Sequence, residues 1–415
     1  MKNRIITIAC LLIAVSCAPR LSPEDKTVLQ LRQEIVQDLT ENILPFWRTH
    51  SPDPSGGFYG TLNFDGTPRA DAQKGGVLNT RLIWTFSAAY RILKDEQYLA
   101  LANRAQRYFL DHFMDAEYGG SYYTVTATGE PLDTQKNTYQ NAFAIYGLSE
   151  HYRATGNKES LDAAIDIYRV LVEHTYDPVD GGFTGWPDKK TFDRQWQMVD
   201  EESPKTMNTN LHVLEALTNL YRVWNDAGLE KHLQEQIYVM SHKVLNQDTW
   251  HEQLFFTMDW QSLQDIDSYG HDIEFSWLLV EAAEVLGDEE ILGKTKRIAV
   301  NVATVQLEQG IDGQGALMNE KSGDHLDANL YWWNQAETVV GFLNAWQISG
   351  DKKFLDAAVR TWEWIKTCMI DQEYGEWYVG VRQDGTPMKN STKANQWRCP
   401  YHNSRMGFEV MTRFQ

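Results

Sequence analysis

The same tight turn returns six times along the chain, and no other feature restricts the possible folds so strongly. Asp53-Pro54-Ser55-Gly56-Gly57-Phe58 opens the first copy, Asp115-Ala116-Glu117-Tyr118-Gly119-Gly120 the second, and Asp177-Pro178-Val179-Asp180-Gly181-Gly182-Phe183 the third. Weaker copies start at Asp248, Asp312 and Asp371, the last running through Tyr374-Gly375-Glu376-Trp377-Tyr378 to Asp384-Gly385. Asp, Pro and Gly in this order between alternating residues read as short β-hairpins. The interval of roughly 60 to 70 residues suits one helix pair plus a loop.

Between the hairpins the periodicity is helical. Leu161, Ile165, Tyr168 and Val172 share one face, as do Leu211, Leu214, Leu217, Leu220, Tyr221 and Trp224. Six segments follow a hairpin: 77–93, 138–154, 205–226, 269–287, 331–349 and 402–414. Six more precede one: 24–48, 95–112, 158–174, 228–246, 288–308 and 351–370. Tight connectors such as Lys94-Asp95, Gly156-Asn157, Gly287-Asp288 and Gly350-Asp351 join members of a pair. Twelve helices in six repeats predict an all-α fold, an (α/α)6 barrel with short β-hairpins on the inter-pair loops; an open solenoid of helix pairs is the alternative. Closure is favoured because the chain opens and closes with an unpaired helix, and each unit needs neighbours to cover its apolar face. No linker interrupts the pattern, so residues 18–415 are expected to form a single catalytic domain.

Residues 1–17 have a different character. Lys2 and Arg4 precede a short apolar run from Ile5 to Val15, and Ser16-Cys17 follows. The run is too short for a permanent span and reads as an export signal, with Cys17 the candidate lipidation site of a lipoprotein. The expected location is therefore the periplasm or a membrane surface, with the lipid anchor as the sole membrane contact. Cys368 and Cys399 show no pairing pattern and read as isolated thiols. A formal net charge of −19 repels phosphate backbones and excludes nucleic acid as a partner. With 15 Trp, 19 Tyr and 16 Phe, the chain has flat rings to spare for stacking on sugars, so a neutral small molecule is the expected ligand. A monomer is expected.

If every second helix follows a hairpin, those six form the inner ring and their N-termini emerge at one end. Their first turns carry Asn79 and Arg81, Tyr139 and Asn141, Asn208 and His212, His271 and Glu274, Trp332, Trp333 and Glu337, and His402 and Arg405. Three histidines and an arginine at equivalent places in a repeat point to a shared cavity. Arg81 lies in an otherwise apolar helix start, and a buried arginine needs a partner. Glu274, one turn beyond His271, is expected to orient that imidazole and raise its pKa. His50, His112, His151, His174, His232 and His242 are assigned to loops or polar outer faces; His251 and His325 stay open. His212-x-x-Glu215 and His271-x-x-Glu274 do not match the HExxH zinc pattern, and no phosphate loop, dinucleotide fingerprint or GxSxG elbow occurs, so neither metal nor cofactor is expected.

Imidazoles in a cavity suit proton exchange at a weakly acidic carbon. An aldose opened by acid and base carries such a proton on C2, beside its aldehyde. Removal gives an enediolate, which Arg81 and converging helix N-termini would stabilise. Return of the proton to the opposite face gives the 2-epimer; delivery to C1 gives a ketose.

Three segments carry a specific resemblance: Ser268-Tyr269-Gly270-His271-Asp272-Ile273-Glu274, Met207-Asn208-Thr209-Asn210-Leu211-His212-Val213-Leu214-Glu215-Ala216 and Cys399-Pro400-Tyr401-His402-Asn403-Ser404-Arg405-Met406. They resemble the cellobiose 2-epimerases of the N-acylglucosamine 2-epimerase superfamily, over essentially the whole chain after the signal. The resemblance implies an (α/α)6 barrel and cofactor-free, reversible epimerisation at C2 of the reducing-end sugar of β-1,4-linked disaccharides. It implies that His402 and His271 are the acid/base pair, that His212 assists ring opening and that Arg81 binds the reacting oxygens. Tyr139, Asp200, Asn208, Glu274, Trp333 and Trp397 would line the site. The chain departs from the pattern at Asn334, where proline is expected, which leaves open whether Trp332 or Trp333 meets the sugar. The export signal leaves open which disaccharide the protein meets, cellobiose, mannobiose or lactose. Rival readings are an aldose–ketose isomerase, a glycoside hydrolase recruiting Asp200, Glu274 and Glu337, and a non-catalytic carbohydrate-binding lipoprotein.

Overall fold

The structure, a computed structural model, describes residues 22–185 and 203–414. The proposed export signal with Cys17, and Asp200, lie outside the described residues. Twelve helical rods make up the described chain. The first is α1 (Pro23–Asp38), a wider π turn (Leu39–Ile43) and α2 (Leu44–His50) in one run. Then come α3 (Gly76–Leu93), α4 (Glu96–His112), α5 (Thr138–Thr155), α6 (Lys158–His174), α7 (Met207–Tyr221) and α8 (Ala227–Val239). The rest are α9 (Tyr269–Leu286), α10 (Glu289–Val305), α11 (Trp332–Ser349), α12 (Lys352–Trp364) and α13 (Tyr401–Arg413).

Helices α3, α5, α7, α9, α11 and α13 pack each on the next, and α13 returns to α3, so the inner ring is closed. The first rod packs against α13 and completes the outer layer with α4, α6, α8, α10 and α12. The fold is the expected (α/α)6 toroid, not an open solenoid. Sequence chemistry separates the two layers. Inner α3 is buried continuously from Gly76 to Ala89, whereas outer α6 buries one stripe, Ala164, Ile165, Ile167, Tyr168 and Leu171, and leaves Asp166 and Arg169 in water. Leu161 and Val172 mark the half-buried margins of that stripe.

The pair connectors behave as expected. Gly156, Gly287 and Gly350 end their helices in the left-handed region, and Asn157, Asp288 and Asp351 then cap the next helix. Lys94 adopts the same conformation at φ 58° without being glycine. Helices α8, α10 and α12 end by widening into single π turns (Met240–Val244, Gln306–Gly310, Ile365–Met369), which feed the hairpins.

Five hairpins close with one bridge each, such as Pro52 to Phe58, Tyr176 to Phe183 and Ile370 to Trp377. The fourth pairs Leu245–Asn246 with His251–Glu252, and the side chain accepting from the turn is Asn246, two residues before the Asp248 expected from the sequence. Strands also link neighbouring repeats. Lys74–Gly75 pairs with Thr124–Val125, Lys205–Thr206 with Phe255–Phe256, Ile266–Ser268 with Glu320–Ser322 and Leu330–Tyr331 with Gly380–Val381, all antiparallel. A bridge from Leu62 to Ala394 joins the first repeat to the last. The hairpins thus form a rim around the end where the inner helices begin.

Four repeats share a device absent from the sequence reading. The aspartate that opens the hairpin takes turn amides on one oxygen and a lysine on the other: Asp53–Lys74 at 2.7 Å, Asp115–Lys136 at 2.6 Å, Asp177–Lys205 at 2.6 Å and Asp371–Lys393 at 2.8 Å. Each pair is buried. The first three lysines each stand two residues before an inner helix, so each pair fixes a hairpin to a helix entrance.

Candidate active site

Polar side chains in the first turns of the inner helices divide into two sets. One set holds hairpins. The Asn141 amide oxygen accepts from the Ser121 N–H at 2.9 Å, the Asn210 side chain bonds both N–H and C=O of Phe183, and Gln335 does the same for Leu317. Asn79 donates back to Gly75 O. Asn79 and Asn141, expected at the cavity, therefore serve the scaffold.

The second set surrounds a cavity of about 180 Å³ lined by Arg81, Tyr139, Asn208, His212, His271, Glu274, Trp332, Trp333, Trp397 and His402. Every residue to which the family resemblance assigns a role lines it except Asp200, which lies outside the described residues. The three imidazoles are each held through Nδ1, which leaves Nε2 available to the cavity. His212 Nδ1 bonds Glu215 Oε2 at 3.0 Å, His402 Nδ1 bonds Glu337 Oε1 at 2.7 Å, and His271 Nδ1 bonds Ser268 Oγ at 2.7 Å. The sequence held the Glu215 signal, one helical turn from His212. The Ser268 contact was missed, although it too stands three residues from its histidine.

Beneath the imidazoles lies a buried charge network. Arg405, from α13, donates to Glu215, to Glu274 at 2.5 Å and to Glu337 at 2.6 Å, while Tyr401 donates to Glu215. Glu274 is thus bound to Arg405, not to His271 as expected from its spacing; its nearest imidazole contact is His402 Nδ1 at 3.8 Å. Nor is the pKa of His271 raised. Burial, with His212 nearby, pushes it down to about 3. Burial together with Arg81 and Arg405 holds His402 well below the usual imidazole range. Burial and the neighbouring Glu337 raise Glu274 to about 7, whereas Glu215, which burial alone would raise, is drawn down to about 2 by Arg405 and His212. Burial thus disfavours the charged form of both His271 and His402.

Arg81 is 3% exposed. It donates to Tyr139 Oη at 2.6 Å and to the Trp397 carbonyl at 3.2 Å, with its guanidinium 4.2 Å from the Phe143 ring. These partners are uncharged, and no carboxylate pairs with Arg81 among the described residues. The cavity therefore holds a positive charge left for a ligand anion, the feature an enediolate needs.

The Trp333 ring lies 4.7 Å from His271 and 5.6 Å from His402. It gets there because residue 270 is glycine: a Cβ at Gly270 would sit 2.6 Å from the Trp333 ring. Trp332 also reaches the cavity but packs over the Arg398 guanidinium at 5.1 Å. Trp397 stands at the mouth, 51% exposed and 5.7 Å from the Tyr139 ring.

Glu274, Glu337 and His402 offer potential metal ligands within 4.8 Å of one another. Arg405 already donates to both carboxylates, so the group is built around an organic cation, and an ion there would meet its charge. The same tether argues against a hydrolase using these two acids, which must stand apart with the scissile bond between them. Two other histidines have defined places. His151, assigned from sequence to a loop or polar outer face, is buried on inner α5 between Ser160 and Asn103. His251 pairs with Asp272 at 2.7 Å beneath the fourth hairpin.

The sequence profile of the family described as N-acylglucosamine 2-epimerase (GlcNAc 2-epimerase) matches residues 57–404. Among characterised relatives, cellobiose 2-epimerase from Bacteroides fragilis is 43% identical, the match covering 92% of this chain and 98% of that protein. Cellobiose 2-epimerase from Ruminococcus albus is 41% identical over the same shares. The solved structure of cellobiose 2-epimerase from Bacillus thermoamylovorans superposes with a TM-score of 0.88 at 39% identity, covering 93% of this chain and 100% of the other. The histidine-lined ring and these matches agree: the chain belongs to the N-acylglucosamine 2-epimerase family.

Proposed function

We propose that this protein interconverts the C2 epimers of the reducing-end sugar in β-1,4-linked disaccharides, turning cellobiose into glucosyl-mannose and back. The observation that carries the reading is the pair of imidazoles, His271 and His402, both against the Trp333 ring in a cavity whose unpaired charge is Arg81. The names of the relatives from Bacteroides fragilis and Ruminococcus albus support the disaccharide; mannobiose and lactose share the same reducing-end chemistry.

His212, backed by Glu215, assists opening of the pyranose by moving a proton between ring and anomeric oxygens. In the open aldose one imidazole takes the C2 proton on Nε2. Electrons from the C–H bond pass into the C1 carbonyl, and Arg81 meets the negative oxygen. The other imidazole, which enters the step as the imidazolium, delivers its Nε2 proton to the opposite face of C2 and is left neutral, and the electrons return to restore the aldehyde. Substrate and product are isomers, so the sequence of steps consumes no electrons and balances without a redox partner. Trp333 and Trp397 give flat surfaces for the two sugars, with Tyr139, Asn208, Glu274 and Asp200 as polar contacts.

Incubation with cellobiose in heavy water tests this. A new disaccharide of matching composition with deuterium at C2 is expected; free glucose would show hydrolysis, a terminal ketose would show isomerisation, and unchanged sugar would leave a binding protein. His271→Ala and His402→Ala should each abolish epimerisation while sugar binding persists. We also propose that residues 1–17 direct export and that Cys17 carries a lipid. Fatty-acid labelling lost in Cys17→Ala would support this, and an unlabelled wild-type chain would refute it.

A further inference from the structure

Serine, threonine, aspartate and asparagine are favoured just before a helix because the side chain accepts from N–H groups of the first turn. In this protein Asp95, Asn157, Thr206, Asp288 and Asp351 all do so, as does Ser22 at the start of α1. Ser268 precedes α9 in the same extended conformation, φ −100° and ψ 95°, yet its side chain takes no helix amide. It turns instead to His271 Nδ1, 2.7 Å away. Among the described α-helices it is the one N-cap residue of this type that forgoes capping.

The partner matters because it differs from those of the other imidazoles. Glu337 and Glu215 are carboxylates; when ionised they accept hydrogen bonds and fix Nδ1–H on His402 and His212. A hydroxyl both accepts and donates. When the Ser268 oxygen accepts from Nδ1–H, the bare Nε2 of His271 faces the cavity as a base. When the hydroxyl turns and donates to Nδ1, the neutral ring carries its proton on Nε2 and presents no base to C2; the acid is the imidazolium, protonated on both nitrogens. Removal of a C2 proton on Nε2 leaves an imidazolium whose Nδ1–H Ser268 accepts. Loss of the Nε2 proton to C2 restores the starting ring.

Resting on the epimerase reading above, we propose that Ser268 is a positioning residue, whose hydroxyl fixes the His271 ring and accepts from its Nδ1–H in both the neutral base and the imidazolium acid. His402, held by a carboxylate, is then the partner with the fixed tautomer, and the two faces of C2 meet histidines of unlike character. Substrate with C2–H on the His271 side depends on Ser268 for proton removal. The other epimer depends on it for proton return.

The test is Ser268→Ala in the full-length enzyme, with both epimers of the substrate, each protonated or deuterated at C2. Because Ser268 does not cap α9, the thermal midpoint should stay at the wild-type value. The rate constant kcat should fall about 10- to 100-fold, a fraction of the 10²–10⁴-fold that acid–base groups supply, with KM changed less than about threefold. The primary isotope effect should rise for one epimer, whose C–H cleavage becomes slow, and fail to rise for the other, whose slow step becomes proton return from solvent-exchanged His271. Unchanged kcat would overturn the proposal. So would a loss of rate with equal isotope effects on both epimers, or one that merely follows a fall in thermal midpoint. Wild-type enzyme run in parallel separates this outcome from failure of the function itself: if it does not epimerise the disaccharide, the reading of the site is wrong before Ser268 is considered.

Discussion

The Nδ1 of His402 and the Oε1 of Glu337 stand 2.7 Å apart across the inner ring, joining α13 to α11. Glu337 Oε2 accepts from the Trp277 indole at 3.0 Å, and Oε1 also accepts from Arg405. Every neighbour of this carboxylate is therefore a donor. Glu337→Gln places an NH2 against one of them in either orientation, which leaves a donor facing a donor. Expected results are a fall in kcat of about 10²-fold and a stability loss of about 1–3 kcal/mol, read by steady-state kinetics and denaturant unfolding.

Gly270→Ala tests the approach of Trp333. The added methyl sits 2.6 Å from the indole and 2.8 Å from Asn334. Alanine favours helix more than glycine does, so the backbone gains while the ring must move. A displacement of about 1 Å at a reacting centre costs up to about 10²-fold. We expect kcat/KM to fall by at least about tenfold with little change in thermal midpoint; parallel losses of both would contradict this account.

His151 provides a pH test away from the cavity. Burial lowers its pKa from 6.5 to about 4. The unfolded chain therefore binds this proton first, and stability rises with pH through the window. The contribution is complete above about pH 6.5 and is lost as the pH falls through 4. From the two values it amounts to about 3 kcal/mol. His151→Gln cannot take up the proton. The wild-type chain should lose stability relative to this variant between pH 6.5 and 4, with equal epimerase rates at pH 7.

The hairpin lysines predict a contrast between buried and exposed pairs. Lys205 is fully buried and binds Asp177, Gly181 O and Met258 O. Lys205→Met leaves the aspartate without its counter-charge and should cost about 3–5 kcal/mol. Lys352 pairs with Asp356 at the surface, and Lys352→Ala should cost less than about 1 kcal/mol. Equal losses in denaturant unfolding would show that the hairpins are not anchored by these ions.

Trp397 separates binding from chemistry. Its backbone carbonyl holds Arg81, while its indole is half exposed at the mouth. Trp397→Ala keeps the carbonyl and removes the ring. We expect KM for the disaccharide to rise several-fold, kcat to change less, and the thermal midpoint to hold. A fall in kcat with KM unchanged would move Trp397 from binding the second sugar to ordering the reacting one.

Much of this arrangement was legible because the repeat speaks through local chemistry. A left-handed residue followed by an Asp or Asn cap marks a pair connector whatever surrounds it, as at Gly156-Asn157 and Gly287-Asp288. The cavity followed from counting which polar residues open the inner helices. Errors arose where neighbours along the chain were mistaken for neighbours in space. Glu274 seemed to belong to His271 three residues away, but the cation that holds it, Arg405, is 131 residues distant. His151 was misplaced because an inner helix is buried on all sides, so a polar residue on it need not mark an outer face. Asn79 and Asn141 share first turns with Arg81 and Tyr139 but stand two residues away, about 200° around the helix, so grouping by first turn overlooked what the helical period already separates.

The closing of the ring by α13 has a consequence for biosynthesis. That helix supplies both His402 and Arg405, so five-sixths of the inner wall can be assembled while Glu215, Glu274 and Glu337 still await their counter-ion. Domains emerging from a ribosome tend to settle in the order they are made. This one cannot acquire activity by increments: a nascent chain halted before α13 holds three crowded acids and two of its three imidazoles. Catalytic competence and the final electrostatic settling of the interior arrive in the same step, when the last helix enters the gap between α11 and α3.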